Sequence, residues 1–360
     1  MNVSDYLVTI GVRPAELSGL KELPGSTKDR LTPVLLLAPW LATSPLSRAL
    51  DKFEEAYSSR DYFIDVDTYY RANENSNEAK ALWARLASKP SDLAAWWSLL
   101  LDYPHANPCL LMAEQPIERV REQIIWARQH DRSFCLRMNM ATGGAGIPAW
   151  MPQLVAELAA DGAVDYAVLF EFGWVQDALS VAALASGYAN TFFSTLPPQV
   201  PIGISCTSFP DDFTQFDGLV EKTFSNRALI AQVQQGTNHP HIVYGDWGST
   251  RPRSYGHASA PKNRIDFPTD GSWLFARNNQ FEVSFPVAAQ RIVGSAQWSG
   301  NLGIWGEQLI EGTALGQTFA IDTMPKMYAA RINIHLHRQA YFGQLPPPAA
   351  LDEEWSDDDF

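Results

Sequence analysis

Short runs of apolar residues, each ending in polar or charged residues, divide the first 250 positions of the chain. The eight runs cover residues 6–12, 33–38, 62–67, 109–113, 134–139, 166–172, 202–207 and 242–246. The runs are continuously apolar rather than alternating, which is typical of strands buried on both faces of a parallel sheet. The pattern therefore predicts eight parallel strands whose carboxyl ends are polar.

Segments with helical spacing lie between most of these runs. In residues 44–58, apolar side chains recur every three or four positions, at Leu46, Leu50, Phe53 and Tyr57. Similar spacing predicts helices at residues 118–130, 152–160, 177–185 and 217–226. Repeated alternation of strand and helix favours an α/β protein with a (β/α)8 TIM-like barrel. The rival, an open doubly wound sheet, has only the glycine cluster at 143–146 in its favour.

The pattern changes after residue 246. Residues 248–263 are rich in Gly, Ser, Pro and Arg and indicate a long loop, whereas 272–277 predict a strand and 285–295 and 324–337 predict helices. We therefore divide the chain into three parts. These are a barrel at 1–250, a C-terminal helical and loop extension packed on it at 251–345, and an acidic tail at 346–360. The tail is expected to be disordered when free.

Charge and composition restrict the partners and the compartment. The net charge is -13, and six acidic residues lie in the last nine positions, which argues against broad binding to nucleic acid. Three well-separated cysteines, Cys109, Cys135 and Cys206, fall in predicted strands and indicate core residues in a reducing compartment. Without a signal peptide pattern or a membrane-spanning run, the sequence predicts a cytoplasmic protein with no membrane partner.

Ionisable residues gather at the predicted carboxyl ends of the strands, where TIM-like barrels hold their functional groups. The carboxylate candidates are Asp65, Asp67, Glu114, Glu171 and Asp246. A ring of such groups suits Mg²⁺, and Asp67, Glu171 and Asp246 are the metal candidates. The other interpretation is that these carboxylates pair with arginines of neighbouring strands. The sequence leaves both open, so the cofactor is unknown, with Mg²⁺ as the candidate.

Arginines and aromatic residues provide candidates for ligand binding. Arg137, Arg251, Arg264 and Arg277 could bind a carboxylate or phosphate through two nitrogens each, or could neutralise the carboxylates instead. Tryptophans near strand ends could stack on a flat ligand or pack the core. The predicted ligand-binding set is Arg13, Trp40, Asn139, Trp247 and Arg251.

Several segments resemble the Beta protein family of phages and bacteria. The opening resemblance comprises YLVTIGVRPAELSGLKEL, LTPVLLLAPW and DYFIDVD, and the later one comprises IVYGDWGSTRP, RIDFPTDGSWLFAR and NIHLHR. Together they span residues 6–340. The chain keeps an early acidic residue as Glu16. It departs from the family at the end of the second strand, where Pro39 and Trp40 replace an acid, and has His335 and His337 separated by Leu336.

The resemblance implies an accessory protein of mobile elements and phage–host conflict, acting beside a partner effector, and it implies no residue-level mechanism. We therefore expect a partner-binding protein of defence or counter-defence that uses the rim and the tail. Trp355 and Phe360 are the partner-binding candidates, and a small anionic ligand could occupy the barrel mouth.

The alternative is a metal-dependent hydrolase of phosphoesters or nucleotides. The carboxylates would then hold the metal, while Arg137 and Arg277 stabilise charge in the transition state.

Overall fold

The computed structural model describes residues 1–40, 45–71, 77–88, 93–141, 147–254, 262–278 and 282–344. Its strands are β1 Tyr6–Gly11, β2 Thr32–Leu37, β3 Tyr62–Val66, β4 Ala106–Pro108, β5 Phe134–Asn139, β6 Tyr166–Trp174, β7 Ile202–Thr207, β8 Gly218–Thr223, β9 Ile242–Asp246, β10 Ile265–Pro268 and β11 Ser272–Arg277. Its helices are α1 Pro14–Lys21, α2 Gly25–Lys28, α3 Ser47–Ala56, α4 Glu78–Ser88, α5 Leu93–Leu101, α6 Ile117–Gln129, α7 Met151–Asp161, α8 Ala182–Phe193, α9 Asn226–Gly236, α10 Phe285–Val293, α11 Trp305–Ala314 and α12 Met324–Ala340, with a 3₁₀ turn at Ala178–Val181.

Eight parallel strands form one sheet in the order β4-β3-β2-β1-β9-β7-β6-β5. The two edge strands meet through a parallel bridge between Cys109 and Cys135, where the Leu110 amide donates to the Cys135 carbonyl over 2.9 Å. The sheet is therefore nearly closed into a barrel, as in TIM-like barrels. The predicted α/β class and the eight parallel strands are confirmed.

Strand β4 differs from the prediction in position. The apolar run at 109–113 predicted a strand, but the ladder runs from Ala106 to Pro108 and then stops. Beyond the bridge, the Gln123 side chain from α6 binds both main-chain groups of Leu111, accepting from its amide at 2.8 Å and donating to its carbonyl at 3.1 Å. A side chain thus takes the place of a neighbouring strand at this position.

Helices cover the outside of the sheet with their apolar faces. In α3 the buried positions are Ala49, Leu50, Phe53 and Ala56, which recur at helical spacing and belong to the main core. The same core includes the outward side chains of the strands, such as Tyr6, Val8 and Ile10 of β1. Among the described helices, none is both long enough and apolar enough to cross a membrane.

A second, antiparallel sheet has the order β10-β11-β8. The prediction of a helix at 217–226 was wrong, because this stretch contains β8 and α9 begins only at Asn226. Burial along β8 alternates residue by residue, the period of a half-exposed strand, as β8 pairs with β11 from Ser272↔Thr223 to Arg277↔Gly218. The predicted strand at 272–277 is confirmed as β11.

The C-terminal helices join this second sheet to the barrel. Helices α10 and α12 lie where the sequence predicted them, and α12 packs against α1 and β10. Nearly all of α12 is buried, including the polar side chains of Asn333, His335 and His337. The glycine cluster at 143–146 and the acidic tail at 346–360 lie outside the described residues.

Candidate functional site at the barrel mouth

The barrel interior changes from apolar to polar toward the carboxyl ends of the strands. An apolar layer consists of Leu7, Val34, Phe63, Cys109, Cys135, Ala167, Leu169 and Val243. Since side chains two positions apart on a strand share a face, the next inward positions are Thr9, Asp65, Arg137, Glu171 and Ser205. This layer we call the polar layer, and it contains three of the predicted candidates.

Arg137 and Asp65 form an ion pair in the polar layer. Arg137 Nη1 donates to Asp65 Oδ2 over 2.8 Å, with the two side chains 3% and 13% exposed. Burial lowers the pKa of the guanidinium, but the Asp65 and Glu171 carboxylates reverse this and leave the pKa raised. Among the described residues, the buried Nε and Nη2 atoms of Arg137 have no hydrogen-bond partner. The cation is therefore fixed in place, while at least three of its five N–H donors are unused.

Glu171 is fully buried next to this pair and is held by three donors. Thr9 Oγ1 donates to Oε2 at 2.8 Å, and Oε1 accepts from the Gly173 amide at 2.9 Å and from Trp247 Nε1 at 2.7 Å. Burial raises the pKa of Glu171, against the opposing effect of Arg137 and these hydrogen bonds. Glu171 is thus held by three donors and has an increased tendency to hold a proton.

Tyr69 contributes a polar group at the edge of the polar layer. Its ring stands edge-on to Trp247 at 5.6 Å, and its hydroxyl lies beside Asn139 without reaching hydrogen-bond geometry. Burial and the nearby Glu171 raise the pKa of Tyr69 to about 12, so this hydroxyl stays protonated at neutral pH. A Cβ at Gly173 would lie 3.1 Å from the hydroxyl.

A bulge in β6 at Gly173 allows the close approach of the Tyr69 hydroxyl to the main chain. The register between β6 and β7 shifts between Glu171 and Trp174, and Gly173 has a φ of 63°. Bulges of this kind turn the direction of a strand and are common next to functional sites. Here the bulge brings the Gly173 amide onto Glu171 and leaves room for Tyr69.

A second ion pair lies at the rim. Arg253 Nε donates to Asp67 Oδ2 over 2.8 Å, and Arg253 Nη2 donates to the Val12 carbonyl over 2.9 Å. Asp67 Oδ1 accepts from the Tyr69 amide at 2.9 Å. Asp67 therefore fixes the loop after β3 and is 2% exposed.

Arg13 and Arg251 lie on the adjacent part of the rim. Arg13 pairs with the buried Glu16, and Arg13 Nη2 donates to the Arg251 carbonyl over 3.0 Å. Glu16 Oε2 also accepts from the Gly11 amide at 2.5 Å. Burial raises the pKa of Glu16 despite the neighbouring Arg13. Burial also lowers the pKa of Arg251, which is half-buried.

Asp246 does not belong to the ring of carboxylates that the sequence predicted. It follows the inward position Gly245 on β9, so its side chain lies on the outer face of the barrel and contacts α12. Its oxygens accept from Tyr6 Oη at 2.6 Å, Tyr244 Oη at 2.6 Å, the Gly248 amide at 2.9 Å and His335 Nε2 at 2.5 Å.

Burial alone would raise the pKa of Asp246, but the contact with His335 and the two tyrosine hydroxyls outweigh it, so the pKa is lowered. The metal candidates Asp67, Glu171 and Asp246 each bind separate donors. Within the described ranges, no three His, Cys, Asp or Glu side chains lie close enough together to hold a metal ion. Of the carboxylate candidates, Asp65 and Asp67 pair with arginines, whereas Glu171 and Asp246 accept from hydroxyl, amide, indole or imidazole groups.

Other predicted residues lie apart from the polar layer. Glu114 is exposed in the turn after β4 with a φ of 53°, and Trp40 is half-buried against the main core. Arg277 ends β11 in the second sheet, where Nη1 donates to the Phe213 carbonyl. Trp355 and Phe360 lie outside the described residues.

Sequence reasoning missed Thr9, Tyr69 and Arg253. Thr9 was detectable, because it lies two positions after Leu7 on a strand whose other residues are apolar. Tyr69 and Arg253 belong to loops, and the loop geometry that brings them to the mouth has no periodic signal in the sequence.

Comparison with known proteins agrees with the segments singled out above. The model of the family described as "Beta protein" matches residues 6–341. The chain belongs to the Beta protein family. It is 22% identical over 338 residues to Protein beta of Enterobacteria phage P4, covering 93% of this chain and 92% of that protein. The resemblance predicted from the sequence is thereby confirmed.

Two pairs of segments that resemble the Beta protein family meet in the fold. Asp246, in IVYGDWGSTRP, binds His335 of NIHLHR, while Asp266, in RIDFPTDGSWLFAR, binds Arg331 at 2.6 Å just before NIHLHR. Helix α12 therefore connects the end of the barrel sheet to the second sheet through buried charged groups.

Proposed function

We propose that this Beta protein family member is a cytoplasmic accessory protein of phage–host conflict that binds a protein partner and a small anionic ligand at the barrel mouth. Its frame would be a (β/α)8 barrel at 1–250 with an extension at 251–345. The acidic tail at 346–360, with Trp355 and Phe360, would contact the partner. The partner would belong to a defence or counter-defence system.

One observation carries the ligand proposal. In the part of the chain that the structure describes, Arg137 is buried with Nε and Nη2 unpaired, and the hydroxyl of Tyr69, which like Arg137 lies near Glu171, also lacks a partner in hydrogen-bond geometry. Leaving buried polar groups unpaired costs about 1–3 kcal/mol each, more for charged groups. An anion that accepts from both residues would remove this cost. The guanidinium fork suits a carboxylate or a phosphate.

The role in phage–host conflict is supported by the family and by the chain's charge. The relative at 22% identity is a phage protein. Six acidic residues and two aromatic residues in the last nine positions suit docking to a basic groove. Such docking would order the tail, and the entropy lost would keep the affinity modest.

Calorimetric titration with small carboxylates and with inorganic phosphate tests the ligand proposal. We expect at least one to bind the wild type, and Arg137→Gln to weaken it by about tenfold or more, because a charge-assisted hydrogen bond is lost. Arg119→Gln is the matched control, since Arg119 is 52% exposed on α6 and pairs with Glu122. Equal affinity in the wild type and Arg137→Gln would contradict the proposal.

Phage plating on cells that express the protein with its neighbouring genes tests the partner proposal. We expect deletion of residues 351–360 to abolish any effect on plating while leaving the melting temperature unchanged. A truncated protein with full effect would refute a role for the tail.

A further inference from the structure

Three buried arginines meet beside the second sheet, and we call Arg264, Arg277 and Arg331 the arginine cluster. Their residues are 6%, 8% and 5% exposed. Arg264 Nε donates to Asp266 Oδ1 over 2.7 Å, and Arg331 Nη1 donates to Asp266 Oδ2 over 2.6 Å. One carboxylate thus serves two guanidinium groups.

Arg277 reaches the same region without an ion pair among the described residues. Its Nη1 donates to the main-chain carbonyl of Phe213, and its Nε is buried without a partner. Within the described part of the chain, Arg331 Nε also lacks a partner. Burial and repulsion from Arg264 lower the pKa of Arg277 and outweigh the opposing effect of the Asp212, Asp266 and Asp217 carboxylates.

The described contacts therefore leave the cluster with more buried positive charge than negative charge. Two guanidiniums share Asp266, and the third binds only a neutral carbonyl group. Taking charges out of water is expensive unless opposite charges balance them, and the other carboxylates that act on Arg277, Asp212 and Asp217, are exposed to solvent. A bound anion would supply the missing negative charge.

Aromatic rings that pack against the arginine cluster partly compensate its positive charge. Arg264 lies 3.8 Å from the centre of the Phe213 ring, and Arg331 lies 4.3 Å from that of Phe209. Both lie near the Tyr328 ring, at 5.6 and 5.0 Å. Cation–π contacts of this type contribute about 0.5–2 kcal/mol each, less than a full counter-charge.

A partly exposed edge would admit a ligand. Phe213, Phe216 and Arg251 are half-buried, and the charge of Arg251 is close enough to Arg264 to lower its own pKa. The cluster is thus flanked by an additional guanidinium and by two aromatic rings that reach the surface.

We propose that the arginine cluster binds the phosphate groups of a small phosphorylated ligand. Phosphate oxygens can accept from Arg277 and Arg331 together, and a diphosphate would neutralise more charge than a carboxylate. The half-buried phenylalanines provide a surface on which a planar group attached to the phosphates could stack. This site does not depend on the proposed ligand at the barrel mouth.

Calorimetric titration with inorganic pyrophosphate tests the assignment. We expect a pyrophosphate site that persists in Arg137→Gln, the variant that disables the proposed mouth site. In that background the affinity should fall as salt rises and should drop by about tenfold or more when Arg277→Gln is added. Arg277→Gln is the first choice because the described contacts of its guanidinium comprise a carbonyl oxygen, and the change leaves Asp266 with both partners. Arg119→Gln is the matched control and should leave the pyrophosphate affinity of this site unchanged.

Asp266→Asn separates binding from a structural role. Removing the carboxylate increases the uncompensated positive charge, so the ligand-free protein should melt earlier, and pyrophosphate should raise its melting temperature more than that of the wild type. Absence of pyrophosphate binding in the folded wild type would overturn the proposal. Equal binding by wild type and Arg277→Gln would overturn it as well.

Discussion

Two buried polar regions at the ends of the barrel strands differ in how completely their groups are paired. On the outer face, Asp246 accepts from four donors, including His335 of α12. In the mouth, Arg137 makes one hydrogen bond to Asp65 and keeps two nitrogens unpaired. The Asp246 carboxylate is therefore satisfied without a ligand, and among the described contacts the orphan atom of this region is Nδ1 of His335, whereas the Arg137 guanidinium keeps unused donors on two nitrogens.

The comparison teaches how to distinguish a structural ion pair from a binding site in this fold. Sequence position alone gives no distinction, because both Asp246 and Glu171 are acids near strand ends. The side on which the residue projects decides the role. Asp246 projects outward and contacts α12, whereas Arg137 projects into the barrel and keeps two nitrogens without a partner among the described residues.

The largest loss of stability is expected from a substitution on the outer face of the barrel. Asp246→Ala should lower the free energy of unfolding by about 3–5 kcal/mol, because it leaves His335 and two tyrosine hydroxyls buried without their acceptor. Urea unfolding measures the change. Asp29→Ala is the control, since Asp29 is 63% exposed and pairs with Arg60, and should change stability by less than about 1 kcal/mol. Equal losses of unfolding free energy in the two variants would show that Asp246 has no special structural role.

The next largest effect is a pH dependence of the free energy of unfolding, caused by His337 of α12. Burial, together with Arg338, lowers the pKa of His337 to about 4. An unfolded histidine titrates near pH ~6.5, so between about 6.5 and about 4 the unfolded chain binds a proton that the folded chain does not. The free energy of unfolding should therefore decrease as pH falls through this window, by on the order of 3 kcal/mol.

His337→Gln checks this pH dependence, because it removes the titrating group. Urea unfolding at several pH values should show that the variant loses this part of the slope. A slope identical to that of the wild type would assign the pH dependence to other groups.

A smaller loss of stability is expected from the mouth. Arg137→Gln should lower the free energy of unfolding by about 1–2 kcal/mol, because the loss of the ion pair is partly offset by the removal of two buried nitrogens that have no partner among the described residues. Asp65, at 13% exposure, can then be hydrated in part. A loss as large as that of Asp246→Ala would show that the mouth pair is also a structural contact.

The smallest expected loss of stability comes from two glycine substitutions, which distinguish a contact at the mouth from ordinary backbone strain. Gly173→Ala and Gly162→Ala each place an alanine at positive φ, 63° and 70°, and each should cost about 1 kcal/mol. Only at Gly173 does the new Cβ meet the Tyr69 hydroxyl, because nothing lies within 4 Å at Gly162. Gly173→Ala alone should therefore weaken a ligand at the mouth, measured by titration. Identical affinities in both variants would exclude Tyr69 from the site.

The strands were predictable because burial on both faces produces unbroken apolar runs, as at Val34–Leu37 in β2 and Ala167–Phe170 in β6. The errors arose where another interaction replaced the sheet ladder or changed the period. The β4 ladder stops at Pro108, and beyond it Gln123 binds the main chain of Leu111 in place of a strand. Strand β8 has the alternating burial of a half-exposed strand because it pairs with β11 far along the chain.

The candidate site was predictable in part for the same reason. Asp65, Arg137 and Glu171 could be placed because they lie near the ends of strands. The outward direction of Asp246 could not be predicted, because it depends on which alternate residues of β9 face the barrel interior. An apolar run does not show this, since both of its faces are buried. An alternating strand would have revealed it.

The position of β1 in the sheet has a consequence for synthesis on the ribosome. Its two neighbours are β2, which begins at Thr32, and β9, which ends at Asp246. One side of the first strand therefore stays without its hydrogen-bond partner until most of the polypeptide has emerged. Nascent chains of this protein should need protection of that open edge, by a chaperone or by slow local pairing, until the ninth strand arrives.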